Sequence, residues 1–365
     1  MIVDIHCHYT FTQRLAAVGD RFSFEPREND DGPAYDSWLA PRVLRRPTTP
    51  ILQRFYGLDP RLEPGAELDR QLEAWYGRHL RVPGPVERTV LLAFDDYHDD
   101  AGRRSPRPIH RGQFGNDMYT SNTFVRAACQ RWPRNYLFGA SVHPYRANAL
   151  ECIDEVFQGG ACLLKWIPQH QNIDCQDERT LRVLRHCAEL GLPLLVHYGE
   201  EFTLATQHRK FVPIKPFLEV LLRLKGEGRM PTVIVPHVAT PVTPLGSSQS
   251  CRLLIDALRG EFAKEPLYAD ISALAVWGKV PWLRRLVRMP ELHGKLLFGS
   301  DFPVPFLALR LWRDLGAQYR QIMLETSWPQ RALKIYRHLG FNEIVFHRAA
   351  RLMPHVNYFT QAAAS

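Results

Sequence analysis

No stretch of this chain is apolar for long enough to span a membrane, and none is repetitive or of low complexity. The seven cysteines are odd in number and irregularly spaced, with no Cys-x-x-Cys. That argues against a disulfide framework and fits reduced thiols in the cytoplasm. No leader is expected ahead of the first strand, because chemistry-bearing residues begin at His6. No Gly-rich turn follows any apolar run, which removes the main signature of a dinucleotide-binding sheet. The net charge of +8 would suit nucleic acid or a small anion. Yet Lys and Arg form no block, and the cations are mostly Arg scattered among Trp, Tyr and Pro. Arg in that setting favours carboxylate recognition, so a small, anionic substrate is expected, with neither nucleic acid nor membrane as partner.

What is present is an ordinary globular balance, 45% hydrophobic and 23% charged, over 365 residues. Apolar runs that read as strands begin near Ile2, Thr89, Tyr136, Ala161, Pro193, Thr232, Leu267 and Lys295. Between most of them lie helical patterns, at 119–132, 148–157, 177–190, 214–225, 250–262 and 281–287. Three more finish the chain, at 306–318, 329–338 and 343–353. Continuous apolar runs suit a parallel sheet buried on both faces. Eight β/α units predict one (β/α)8 TIM barrel domain over 1–365. Residues 10–85 interrupt it after the first strand. They are rich in Pro, Arg and aromatics, with helices expected at 38–45 and 67–80, and read as a folded lid.

The first strand ends in His6-Cys7-His8. A period of two puts both imidazoles on one side and Cys7 on the other. Later strands end at His197, His237 and Asp301, with Lys165 inside the fourth. In such a barrel the carboxyl ends of the strands meet on one face. Four imidazoles and a carboxylate gathered there suit one divalent metal ion, zinc first, with manganese or iron as alternatives.

These residues carry a family resemblance. Asp4-Ile5-His6-Cys7-His8, Gly159-Gly160 with Lys165, the Gly191–His197 strand, His237 and Leu297-Phe298-Gly299-Ser300-Asp301-Phe302-Pro303 resemble the amidohydrolase superfamily. Within it they are most similar to the branch that includes aminocarboxymuconate-semialdehyde decarboxylase. The resemblance covers nearly the whole barrel but not the sequence of 10–85. It implies that His6, His8, His197 and Asp301 hold one ion and that His237 and Asp301 are catalytic. It also implies that Lys165 matches the lysine that two-metal relatives carboxylate as a bridge. Relatives are often homodimers.

A metal with an open position lowers the pKa of bound water. The expected activity is hydrolysis of a C–O or C–N bond in a small carbonyl or carboxylate compound. The alternative is nonoxidative decarboxylation of an aromatic or unsaturated acid. That alternative needs a cation for the carboxylate, with Arg14, Arg42, Arg45, Arg46 and Arg54 of the insertion as candidates. A third, non-enzymatic alternative is a barrel that only binds a ligand. Lys165 and His143 are further candidates for substrate or a second ion. Asp270, Ser272, Asp95, Asp96, His98, Glu200 and Glu201 read mainly as strand-end and loop polar groups.

Overall fold

The computed structural model describes residues 1–362 apart from 18, 27, 30, 31, 47, 106–113, 202, 244, 277 and 305–307, with the backbone alone at 28, 29, 32 and 33. Eight parallel strands follow one another around a single sheet. They are β1 (Ile2–His8), β2 (Val86–Leu92), β3 (Tyr136–Ala140), β4 (Ala161–Trp166), β5 (Leu194–Val196), β6 (Val233–Val235), β7 (Leu267–Asp270) and β8 (Leu296–Leu297). All eight expected strands are therefore present. β8 is shorter than the apolar run 295–301 suggests, because regular pairing stops at Leu297. The barrel nevertheless closes beyond that point. Ile5 N donates to Phe298 O at 3.3 Å, Asp301 N to His6 O at 2.9 Å and His8 N to Phe302 O at 2.7 Å.

The barrel interior is filled by Val3, Ile5, Val90, Leu92, Leu137, Leu163, Leu195, Ile234 and Leu297, and Ala349 and Met353 pack against the same cluster. A separate, larger cluster joins the outward side chains, Cys7 among them, to the helices. In β1 the simple alternation breaks. Val3 and Ile5 pack inside, but Cys7, two residues further, packs outside. The cause is a β-bulge: Asp4 to Cys7 pairs with Thr89 to Leu91, three steps against two. The bulge lets β1 line the apolar floor and still turn His6 and His8 away from the helical layer at its end.

The helices lie close to expectation, at Ala149–Gln158, Glu178–Leu190, Lys215–Gly226, Gln249–Arg259, Val280–Val287 and Trp328–Leu339. Asp177 caps its helix through Arg179 N, and Gly191 ends it at φ 64°. Four expectations change. Residues 38–45 are not one helix: Tyr35–Leu39 is a strand between Gln13–Leu15 and Met118–Thr120, and a one-turn helix, Pro41–Leu44, follows. Pro41 suits the first turn because its missing N–H is not needed there. The helix expected at 119–132 starts at Asn122, where the Ser121 side chain accepts from Phe124 N. The run 343–353 is split into Ile344–His347 and Ala349–Leu352. The stretch 306–318 gives short turns from Ala308 onward, its first two residues lying outside those described.

The insertion is folded against the mouth of the barrel. Helix Ala66–Leu80 supplies Trp75, which stacks on Phe302 at 4.7 Å, beside Asp301. Tyr56 Oη donates to Pro303 O at 2.9 Å. Asp69 accepts from the backbone N and hydroxyl of Thr12 at 2.7 and 2.6 Å. No helix of the described residues is long and apolar enough to cross a membrane. All seven cysteines are unpaired and buried.

Candidate metal centre

At the carboxyl end of the barrel, one oxygen gathers two imidazoles. Asp301 Oδ1 lies 3.3 Å from His6 Nε2 and 3.5 Å from His8 Nε2. One ligand atom from each of the three residues falls within 4.8 Å of the others. Two ligands of a tetrahedral ion, with bonds near 2.1 Å, sit about 3.4 Å apart. The observed spacing therefore matches donors facing a common ion. Glycine makes the approach possible: a Cβ on Gly299 would stand 3.0 Å from His6 Cβ and 3.3 Å from Ser272 Cβ.

His6 is fixed from behind. Its Nδ1 lies 2.9 Å from Asp270 Oδ2 and 3.1 Å from Ser272 Oγ. A proton held on Nδ1 by Asp270 leaves the Nε2 lone pair free for an ion. Asp270 also accepts from His237 N at 2.6 Å and from Ser272 N and Oγ at 2.9 and 2.5 Å. The strand-end aspartate thus ties β1, β6 and β7 together. Asp4 does the same for the closing seam. It accepts from Ser300 N and Oγ at 2.8 and 2.6 Å, and burial pushes its carboxyl up to about 7.

The electrostatics suit cation binding. Burial, then Lys165, push the His6 imidazole well below its ordinary range, so it is neutral and able to ligate. Burial alone would raise Asp301, but His6, His8 and Lys165 outweigh it and keep this carboxyl ionised. Lys165, on β4, is fully buried with its Nζ 3.2 Å from His6 Nε2. Burial brings it down to about 8 against the pull of Asp301, Asp270 and Glu201.

His197 and His237 form a second pair, with ring centroids 4.8 Å apart. His197 is not drawn into the three-residue cluster. Its Nε2 faces Glu201 Oε2 at 3.4 Å, and burial lowers it to about 4 although Glu201 opposes. His237 Nδ1 is buried without a hydrogen-bond partner among the described residues. The backbone there is held in the left-handed region for three residues, His237, Val238 and Ala239, at φ 38°, 55° and 49°. Non-glycine residues pay about 1–3 kcal/mol each for such conformations, which cluster at functional sites.

His143 lies elsewhere. Its Nε2 is 2.7 Å from Gln171 O and its Nδ1 accepts from Tyr145 N at 3.1 Å, so both nitrogens are engaged inside the protein. The arginines of the insertion are also committed or solvated. Arg14 pairs with Glu73 at 3.4 Å, Arg42 with Asp117, and Arg46 donates to Thr203 O at 2.8 Å. Arg45 and Arg54 are exposed.

Sequence reasoning missed one charged group entirely. Lys279 is buried at the N-terminal cap of helix Val280–Val287, where a cation opposes the helix dipole. That misplacement was the available signal. Glu201 and Asp270 were visible as strand-end polar groups, but their partners could not be read from spacing.

The chain superposes on an uncharacterized TIM-barrel protein from Bordetella bronchiseptica with a TM-score of 0.52 and 13% identity, covering 100% of this chain and 99% of that one. The fold is a TIM barrel. The barrel also matches a probable 2-pyrone-4,6-dicarboxylic acid hydrolase from Acinetobacter baumannii (TM-score 0.46, 14% identity, 94% and 98% of the two chains). A 2,6-dihydroxybenzoate decarboxylase from Rhizobium gives 0.44 and 12%, over 99% of each chain. These last two superpose too loosely to bear on the chemistry of this barrel. No family model and no curated protein matches the chain.

Proposed function

We propose that this barrel is a metal-dependent hydrolase of the amidohydrolase type, acting on a C–O or C–N bond of a small carbonyl compound. The observation that carries the reading is the spacing of His6 Nε2, His8 Nε2 and Asp301 Oδ1, which fits one divalent ion. Imidazole and carboxylate donors favour zinc, with manganese or iron as alternatives. Such an ion, when bound, acidifies a water and polarises a carbonyl oxygen. His6 and His8 would hold the ion. Asp301 would both ligate the ion and accept the proton that the attacking water gives up. His237, whose Nδ1 has no partner among the described residues and lies beside His197, would relay to the departing oxygen or nitrogen the proton that Asp301 takes from the water.

One observation favours a second reading, nonoxidative decarboxylation. The site holds two buried ammonium groups, Lys165 and Lys279, which can neutralise a carboxylate or supply the proton that replaces CO2. A screen of lactones, amides and unsaturated carboxylates with zinc- or manganese-loaded protein tests both. Incorporation of labelled oxygen from water identifies hydrolysis, and CO2 release without it identifies decarboxylation. In either case His237→Asn should keep the metal and lose turnover. Full turnover in that variant, with the metal intact, would remove His237 from the mechanism.

A further inference from the structure

We propose that Lys279 is the anchor for a carboxylate on the substrate of this site, so that the barrel selects small carbonyl compounds that carry a carboxylate. The inference rests on the metal-site reading above and adds a specificity residue to it.

Lys279 is 6% exposed, and among the described residues its ammonium makes no hydrogen bond or ion pair; it is not one of the fully enclosed atoms left without a partner, so the little surface it keeps is open to what enters the mouth. The carboxylates nearest to it in effect are Asp301, Glu201 and Asp270, and each is spent elsewhere. Glu201 faces His197 at 3.4 Å and accepts from Thr203 N and Leu204 N at 2.6 and 3.2 Å. Asp270 is filled by His6, His237 N and Ser272. Asp301 faces His6 and His8. A buried, unpaired ammonium is costly, and a protein that only needed packing there would be more stable with an apolar side chain. Burial pushes Lys279 down while those three carboxylates hold it up, which supports its placement beside the site.

The position is rigid. A Cβ on Gly278 would meet Val242 O at 2.0 Å, so the turn carrying Lys279 lies directly on the loop after β6. Glu200 clamps that loop from the other side, accepting from Val242 N and Ser247 N at 3.0 Å each. Three loops of the barrel mouth thus hold Lys279 in place. Preorganised cations of this kind bind anions at low entropic cost.

The insertion arginines, engaged with Glu73, Asp117 and Thr203 O or exposed, do not supply this cation.

The test is calorimetric titration of benzoate and of neutral benzamide into zinc-loaded protein. The expected result is that Lys279→Met weakens benzoate at least tenfold, leaves benzamide unchanged, keeps one zinc per chain and does not lower the melting temperature. Lys279→Arg should retain benzoate within about threefold. Unchanged benzoate affinity in Lys279→Met, no benzoate binding by the wild type, or a melting temperature several degrees lower in Lys279→Met would each overturn the proposal. Absence of zinc from the wild type would instead overturn the metal-site reading. Benzoate titrated into that metal-free protein and its Lys279→Met variant would still decide the role of Lys279, with the same tenfold loss expected and equal affinities overturning it.

Discussion

Two buried histidine clusters sit at the same end of this barrel, and they differ in what they leave unfinished. One follows β2 and β3. There Arg146 grips Asp95 with two hydrogen bonds of 2.7 and 2.6 Å, His143 N donates to Asp95 at 2.6 Å, and His98 packs on His143 at 4.6 Å. Both His143 nitrogens and the Asp95 oxygens find protein partners. The other cluster follows β1, β5, β6 and β8. There His6, His8 and Asp301 turn donor atoms toward one another, His237 Nδ1 has no partner, and Lys279 has no acceptor among the described residues. Both clusters contain similar residues at similar depth. The difference is that one closes its hydrogen bonds internally, whereas the other leaves donor atoms facing one another and groups without partners among the described residues. Burial and residue type do not separate the two clusters; the satisfaction of their hydrogen bonds does.

Changes to the two clusters should therefore fail in different ways. The largest effect is expected from Asp301→Asn, which removes the proposed ligand and proton acceptor. Turnover should fall roughly 10³-fold or more, since the metal contributes several kcal/mol to the transition state. Metal analysis should show zinc lost while the circular dichroism spectrum is kept. A variant that retained both zinc and activity would erase the distinction drawn above. In the satisfied cluster, Arg146→Met should cost about 3–5 kcal/mol of stability by leaving Asp95 buried and unpaired. Urea unfolding reads this directly. The double variant Asp95→Asn/Arg146→Met should recover much of the loss, and zinc content should not change in either.

Asp270→Asn tests the support behind His6. Its expected cost is about 10–100-fold in metal affinity, measured by competition with a chelator, because the imidazole loses the carboxylate that sets its tautomer. The smallest effect concerns acid. Burial lowers both His98 and His143 from the usual imidazole range. Burial would raise Asp95, but Arg146, His98 and the His143 N–H hold it below the usual carboxylate range. For all three the unfolded chain binds protons before the folded one does. Stability is full above the unfolded pKa, about 6.5 for His and 3.9 for Asp, and is lost as pH falls toward the folded values. Urea midpoints should drop between pH 7 and 5, at most about 1.4 kcal/mol per pH unit for each histidine, and His143→Gln should flatten the slope. A midpoint that rose on acidification would contradict the assignment of neutral, buried rings.

The eight strands were legible because each is a run of apolar residues long enough to be buried on both faces. The meeting of His6, His8 and Asp301 was legible because strand ends converge in such a barrel. What the sequence hid were relations across the chain. The strand at Tyr35–Leu39 depends on pairing with Met118–Thr120, about eighty residues away, and Trp38 alone suggested a helix. Asp270 looked like a strand-end hydrogen bonder until its contact with His6, 264 residues earlier, was seen. His143 resembled a site residue because it follows a strand, and only its engaged nitrogens place it in the fold's own wiring. Arginines of the insertion are the conspicuous cations of the sequence, whereas the buried cation without an acceptor among the described residues is Lys279, in a turn that no motif marks.

The bulge in β1 has a consequence of its own. With a regular pleat, any register that kept Val3 and Ile5 in the barrel floor would present Cys7 to the mouth and hide both histidines among the helices. The strand would still fold and pair, but a single thiol would occupy the ground where two imidazoles stand. Chain length, one residue gained on β1 against β2, thus acts as an address label. It lets the lower half of the strand be repacked for stability without redirecting the upper half, and the site and its foundation can change independently.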